Sequence, residues 1–288
     1  HHSKHLILKN IEKIVNYNLN ISILVIENSL DHSLKDDLEL KYKNIVEVHI
    51  PDENLGFAKG MNKALELSKT NFVFLSPPDV SLSYDCVKNL IDCLSHFEDF
   101  VLLAPTYRDE TTYKNYNKNL FSKNSEKKNN FKLLEKHNLQ EVDWIDSSVI
   151  VNKAKLNNFK IMDENFFLYF ETMDMCLNFK KQNKKMYIVD NIKFDHLGGA
   201  SHGKKYNYEA SLSRNWHYNW SKFYYFKKNY SLLTAISKTL PFFVESFLKF
   251  IFFYFINNRK KIIYFNQFNG LINSYLGKKS FRRLKLSK

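Results

Sequence analysis

"GFAKGMNKALELSKTNFVFLSPPDV", residues 56–80, decides the fold. Its first part, 56–69, carries helical spacing and starts at a turn containing Gly56. Its second part, 71–80, is a short apolar run rich in β-formers, stopped by Pro77 and Pro78. A helix followed at once by a buried strand is half of a strand–helix–strand unit. Outward from it the same alternation continues. "NISILVIENS" (20–29) and "NIVEVHIP" (44–51) read as strands, and "HLILKNIEKIVNY" (5–17) reads as a helix. "SYDCVKNLIDCLSHF" (83–97) is a helix with Ser83 as N-cap, and "FVLLAPTY" (100–107) is a further strand. The pattern predicts an α/β fold with a largely parallel sheet. The Lys- and Asn-rich stretch 108–138 reads as a mobile loop or insertion. Regular structure resumes at "VDWIDSSVIVNKAKL" (142–156) and in the strand-like "KKMYIVD" (184–190), which leads into "IKFDHLGGASHG" (192–203).

The 288 residues suffice for one large domain or a domain with an appendage, and 44% are hydrophobic, enough for a substantial core. Cys86, Cys93 and Cys176 form no CxxC pair, which points to a reduced, cytosolic protein without disulfides or a zinc knuckle. No signal-peptide pattern is read. The net charge of +13 calls for an anionic partner: nucleic acid, a phosphorylated substrate or an anionic membrane. The charge is uneven, with nine Lys or Arg and no Asp or Glu from Arg259 to Lys288. Before that tail, Leu232 to Ile256 is an apolar stretch interrupted by Lys238, Glu245 and Lys249 and containing Pro241. That pattern suits a helix lying in a membrane interface better than one crossing it; packing on a protein partner is the alternative.

In open α/β sheets ligands gather at the carboxyl ends of strands. Glu27, Asn54 and Asp79 all fall there. Glu27 suits a base or ribose contact, or else is a solvated loop acid. Asp79 suits a divalent cation, or else caps the next helix. "NLGFAKGMN" (54–62) is neither a Walker loop nor GxGxxG, so Gly56 and Gly60 serve a tight turn and close packing as readily as a ligand. His196 beside "LGGAS" suits a metal or phosphate, or is structural. "MDENFFLYFETMDMC" (162–176) sets Glu171 and Asp174 inside an aromatic run. Two such acids on one helical face form either a general base with a supporting acid or a pair bonded to Lys or Arg.

Six segments resemble, in order, the inverting family 2 glycosyltransferases, most closely the rhamnosyltransferase-like branch: "VIENS", "NLGFAKGMNKAL", "FLSPPDV", "VDWIDSSVIVNKAKL", "MDENFFLYFETMDMCL" and "FDHLGGAS". They span roughly residues 3 to 203. The resemblance implies a GT-A fold: a Rossmann-like, mostly parallel mixed sheet flanked by helices, here as a catalytic domain over 1–205. Residues 206–288 would then form a helical, amphipathic, basic appendage. It implies a nucleoside-diphosphate sugar donor, rhamnose-like, near Glu27, Asn28, Asn54, Gly56 and Asn62. It implies an acceptor, a cell-surface glycan or lipid-linked saccharide, near Trp144 and Asp146. It places a weakly held Mg2+ or Mn2+ on Asp79 with His196, and the base at Glu171 or Asp174. Pro77 stands where Asn or Asp is usual, which removes a ligand, and Thr172 stands where many relatives carry Asp. The chain opens "HHSKHL", as though the first strand preceded it, with His1 and His2 belonging to the turn that follows.

On this reading the enzyme is cytoplasmic and peripheral on the inner face of the cell membrane, held to its anionic surface by the basic tail. A catalytically impaired scaffold subunit of the same fold is the alternative. A nucleic-acid-binding protein is a third class, disfavoured by acids at the strand ends.

Overall fold

A computed structural model describes residues 2–108, 120–121, 130–133, 136–196 and 207–283. The chain divides into two compact units: His1–Leu55 with Gly60–Met162 and Met175–His202, and Gly56–Lys59 with Asp163–Asp174 and Gly203–Lys288. The boundary expected at 205/206 lies outside the described residues.

The first unit opens with α1 (Lys4–Val15), β1 (Ile23–Ile26), α2 (His32–Tyr42) and β2 (Val46–His49). β1 and β2 pair in parallel, as a helical crossover requires. Ile11, Leu34, Leu38, Val46 and Val48 close a core among these elements. α2 begins where Asp31 accepts from the N–H groups of Ser33 and Leu34.

Then follow α3 (Gly56–Leu67), β3 (Phe72–Leu75), β4 (Val80–Ser81), α4 (Tyr84–Leu94), β5 (Leu102–Arg108), β6 (Asn130–Leu133), β7 (His137–Val142), β8 (Val149–Asn152), α5 (Glu171–Lys181) and β9 (Met186–His196). Ser83 caps α4 by accepting from Cys86 N–H at 3.1 Å. The apolar side of α4 (Cys86, Val87, Leu90, Cys93) packs with Phe100, Leu103 and Tyr187. Burial pushes the thiols of Cys86 and Cys176 up to about 12 and that of Cys93 to about 11. At neutral pH all three are protonated core residues.

The seven-stranded sheet runs β3-β8-β5-β9-β7-β6, with β4 also on β9. Here the structure corrects two expectations. β5 and β9 are parallel, but β3–β8, β8–β5, β9–β7, β7–β6 and β4–β9 are all antiparallel. The mixed α/β class stands, yet the larger sheet is not mostly parallel. β6 and β7 are joined by a short connection, which only an antiparallel pair accommodates. The stretch 108–138 is also not all loop: β6 and the start of β7 lie in it. These polar strands are held by pairing with one another and with β9. Pro105 sits where the β5–β9 register shifts, the usual place for a proline inside a sheet.

The second unit contains α6 (Asn207–Asn229), α7 (Leu232–Phe255) and α8 (Lys260–Tyr275). Phe223, Ala235 and Leu271 bring the three together. The Glu245–Lys249 pair expected on α7 is present. Gly270 of α8 meets the backbone of α6, since a Cβ there would lie 2.4 Å from the Trp216 carbonyl oxygen.

His217, fully buried on α6, bonds through Nε2 to the Arg282 carbonyl at 2.8 Å and through Nδ1 to the Ser280 hydroxyl at 2.9 Å. A carbonyl only accepts, so Nε2 carries the proton and Nδ1 accepts from Ser280. Burial depresses its pKa from 6.5 to about 4. Between those values the unfolded chain binds the extra proton. Stability is therefore full above about pH 6.5 and falls by about 3 kcal/mol as pH drops toward 4. Urea denaturation across that range measures it, and His217→Gln should flatten the dependence. An equally steep loss in the variant would assign it to other groups.

Candidate active site

The candidate residues fall in both units. In the first, Glu27 follows β1 and is 3% exposed. Its Oε1 accepts from Ser29 N–H at 2.5 Å, which folds the turn back on itself. Asn28 Oδ1 accepts from Leu55 N–H at 3.2 Å. Its amide nitrogen would lie 3.2 Å from a Cβ at Gly60, so that glycine admits Asn28 to the helix surface. His1 lies outside the described residues, while the backbone N–H of His2 donates to Ser29 Oγ. Asn54 is half-buried. Asn62 is differently engaged: its amide donates to the Met162 carbonyl at 2.9 Å and accepts from Met162 N–H at 3.1 Å. Both ends of that amide serve packing.

Asp79 is 5% exposed and lies inside a turn closed by Val80 N–H on the Pro77 carbonyl, 3.2 Å. The Asn10 amide of α1 clamps the same turn, donating to the carbonyls of Pro78 and Val80 at 2.8 and 2.9 Å. Sequence reading missed Asn10; a lone amide in a helix carries no local sign of such a role. β4 then pairs with β9 so that Val80 stands opposite His196. The backbone thus sets Asp79 next to the residue that faces His196. "LGGAS" lies outside the described residues. Among the described residues no group of three or more His, Cys, Asp or Glu is gathered for a metal.

Trp144 and Asp146 follow β7 and are half-buried. Asp143 anchors their loop, accepting from Lys180 Nζ at 2.8 Å and from Leu120 N–H at 2.5 Å. Ile145 N–H meets Cys176 Sγ at 3.4 Å. The Trp144 indole N–H is buried and meets no acceptor among the described residues.

In the second unit the two helix acids differ. Asp174 is fully buried: Oδ2 accepts from Lys228 Nζ and Oδ1 from the Asn229 amide, each at 2.7 Å. Lys228 also binds Asp163 at 2.7 Å, and the Tyr224 hydroxyl donates to Asp163 at 3.0 Å. Burial would raise the Asp163 carboxyl and lower the Lys228 ammonium. Their mutual bonds prevail, leaving Asp163 below the ordinary carboxylate value and Lys228 above the ordinary lysine value. Lys228, Asn229 and Tyr224 are far from these acids in sequence, and nothing local marks them. Glu171 opens α5 and is 6% exposed. Tyr169 and Phe170 just before it both hold positive φ, 71° and 68°. Such a conformation costs a non-glycine residue about 1–2 kcal/mol each, and strain of this kind gathers at functional sites. Phe170 packs on Tyr218 and Tyr225, which helps hold it there.

Gly56, at φ 74°, receives Phe167 of the same segment: a Cβ would lie 2.5 Å from its ring and 2.6 Å from its carbonyl oxygen. Phe57 N–H donates to that carbonyl at 2.8 Å. Gly56→Ala should therefore cost about 2–4 kcal/mol in urea denaturation, from strained φ and overpacking together. A loss below about 0.5 kcal/mol would show that the segment yields freely.

A mixed sheet flanked by helices, followed by C-terminal helices, is the architecture of a GT-A glycosyltransferase. Residues 1–166, more than half of the chain, match glycosyl transferase family 2, and the chain belongs to that family. Family and fold make it a glycosyltransferase. Among solved structures it is similar to S. aureus TarS 1–349, with 13% identity, TM-score 0.53, and coverage of 96% of this chain and 90% of that one. It is similar to the mannosyltransferase PcManGT from Pyrobaculum calidifontis in complex with GDP-Man and Mn2+, with 9% identity, TM-score 0.52, and coverage of 95% and 83%. It is also similar to GalNAc-T7 with UDP, GalNAc and Mn2+, with 10% identity, TM-score 0.50, and coverage of 67% of this chain but 40% of that one. The chain thus spans less than half of GalNAc-T7. At these identities the likeness bears on fold alone. No curated protein sequence matches the chain.

Proposed function

We propose that the protein transfers a sugar from a nucleoside diphosphate to a hydroxyl of a glycan or lipid-linked saccharide, inverting the anomeric carbon. The observation that carries this reading is the strained turn at Tyr169 and Phe170, which opens α5 on the buried carboxylate of Glu171. Asp174 is held by Lys228 and Asn229. Glu171 is the base. It takes the acceptor hydroxyl's proton as that oxygen bonds the anomeric carbon, and the bond to the diphosphate breaks with its electron pair leaving on phosphate oxygen. One displacement needs one base and gives inversion. The strained turn aims Glu171, and Asp174 holds the helix that bears it.

Glu27 and Asn28 are the base or ribose contacts of the donor. Asp79, a carboxylate in a clamped turn, is the ligand of a hard divalent cation, with His196 as its partner. When bound, the cation supplies positive charge to the departing diphosphate, as the Mn2+ complexes of fold relatives suggest. Pro77 adds no ligand, so this site should hold the cation weakly. Trp144 offers its buried N–H to an acceptor hydroxyl, relieving a donor that costs about 1–3 kcal/mol when unmatched. The rhamnosyltransferase-like wording of the motifs favours a deoxythymidine-diphosphate deoxyhexose.

Thermal-shift measurements with deoxythymidine, uridine and guanosine diphosphates, each with and without Mn2+, test the reading. The largest rise is expected for deoxythymidine diphosphate with Mn2+. A rise with another base alone would change the donor but not the chemistry. No rise with any of them would favour a scaffold that has lost catalysis.

A further inference from the structure

One side of α7 is apolar and uncovered. Leu233, Leu240, Val244, Leu248 and Phe255 return to a single stripe of the helix, and all are exposed, Leu233 and Phe255 to 80%. A different side of α7 is accounted for within its own unit, where Ala235, Thr239 and Ser246 are buried. Lys238 and Lys249 lie on a stripe bordering the apolar one. Just past the helix come Arg259, Lys260 and Lys261, opening the segment of nine cations and no acids.

We propose that this stripe docks the protein on an anionic lipid bilayer, with α7 lying in the plane of the headgroup boundary. Charge complementarity selects this occupant, and no helix among the described residues is long and apolar enough to cross a membrane. A second copy seated on the stripe would bring two acid-free cationic segments together, whereas anionic headgroups match them. Lys238 extends its ammonium group to the headgroups while its stem lies along the apolar boundary. The cytoplasmic leaflet is the anionic surface of a cell membrane, and each cation near it strengthens binding roughly fivefold.

Flotation of the full chain compares vesicles of phosphatidylcholine alone with vesicles that also contain phosphatidylglycerol, at low and high salt. The chain should float with the anionic vesicles and less so at high salt. The triple variant Leu240→Ser, Val244→Ser, Leu248→Ser should lose at least about tenfold in partition at either salt. The triple variant Arg259→Glu, Lys260→Glu, Lys261→Glu should lose about a hundredfold at low salt while keeping its melting temperature. Equal flotation of the wild type and the serine variant would overturn the proposal. So would a wild type that ignores anionic vesicles, or one that sediments as a dimer which the serine variant dissolves.

Discussion

Glu171→Gln should lower turnover at saturating donor by about 10²-fold or more, with the melting temperature nearly unchanged. The amide keeps the shape and removes the proton acceptor. Asp174→Asn should behave in the opposite way. It weakens a fully buried bond to Lys228, so the chain should melt earlier, by an amount worth about 1–3 kcal/mol, while turnover stays within about tenfold. The loss stays below that of an isolated buried pair because Lys228 retains Asp163. Measuring turnover and melting on both variants separates the roles. If Asp174→Asn abolishes transfer without loss of stability and Glu171→Gln transfers normally, the assignment is reversed. Acid adds a check on the same cluster. Asp163 titrates below its ordinary value when folded, so its contribution is present above about pH 4 and is lost as pH falls through the folded value.

Asp79→Ala should remove whatever dependence on Mn2+ or Mg2+ the wild type shows and lower turnover by about 10²-fold. The physical reason is the scarcity of alternatives. Pro77 has no side-chain ligand, and the turn that bears Asp79 is held by the Asn10 amide. Asn10→Ala should produce a milder version of the same defect, raising the Mn2+ concentration needed for half-maximal rate, because it loosens the turn and leaves the carboxylate. Transfer that is indifferent to chelator and unchanged in Asp79→Ala would exclude a cation at this turn.

Much of the fold was legible from local pattern. The apolar runs at 20–29, 44–51, 71–80 and 100–107 became β1, β2, β3 with β4, and β5, and the helices read at 5–17, 56–69 and 83–97 became α1, α3 and α4. α2 escaped notice because Leu34 and Leu38, its buried residues, stand among charges, although Asp31 as a cap was there to be read. β6 and β7 escaped because their polar composition forms strands only when partners supply the hydrogen bonds.

The order of the motifs and the two acids at one helix start were in the sequence itself. Periodicity reports what a segment can bury, and it does so within a few neighbours. Whom the segment pairs with depends on residues brought from far along the chain. Strand direction in the larger sheet, the pairing of Val80 with His196 through β4 on β9, and the uncovered side of α7 were therefore decided by tertiary structure alone. So was the setting of Asp174, which is met by an ammonium group that arrives 54 positions later in the chain.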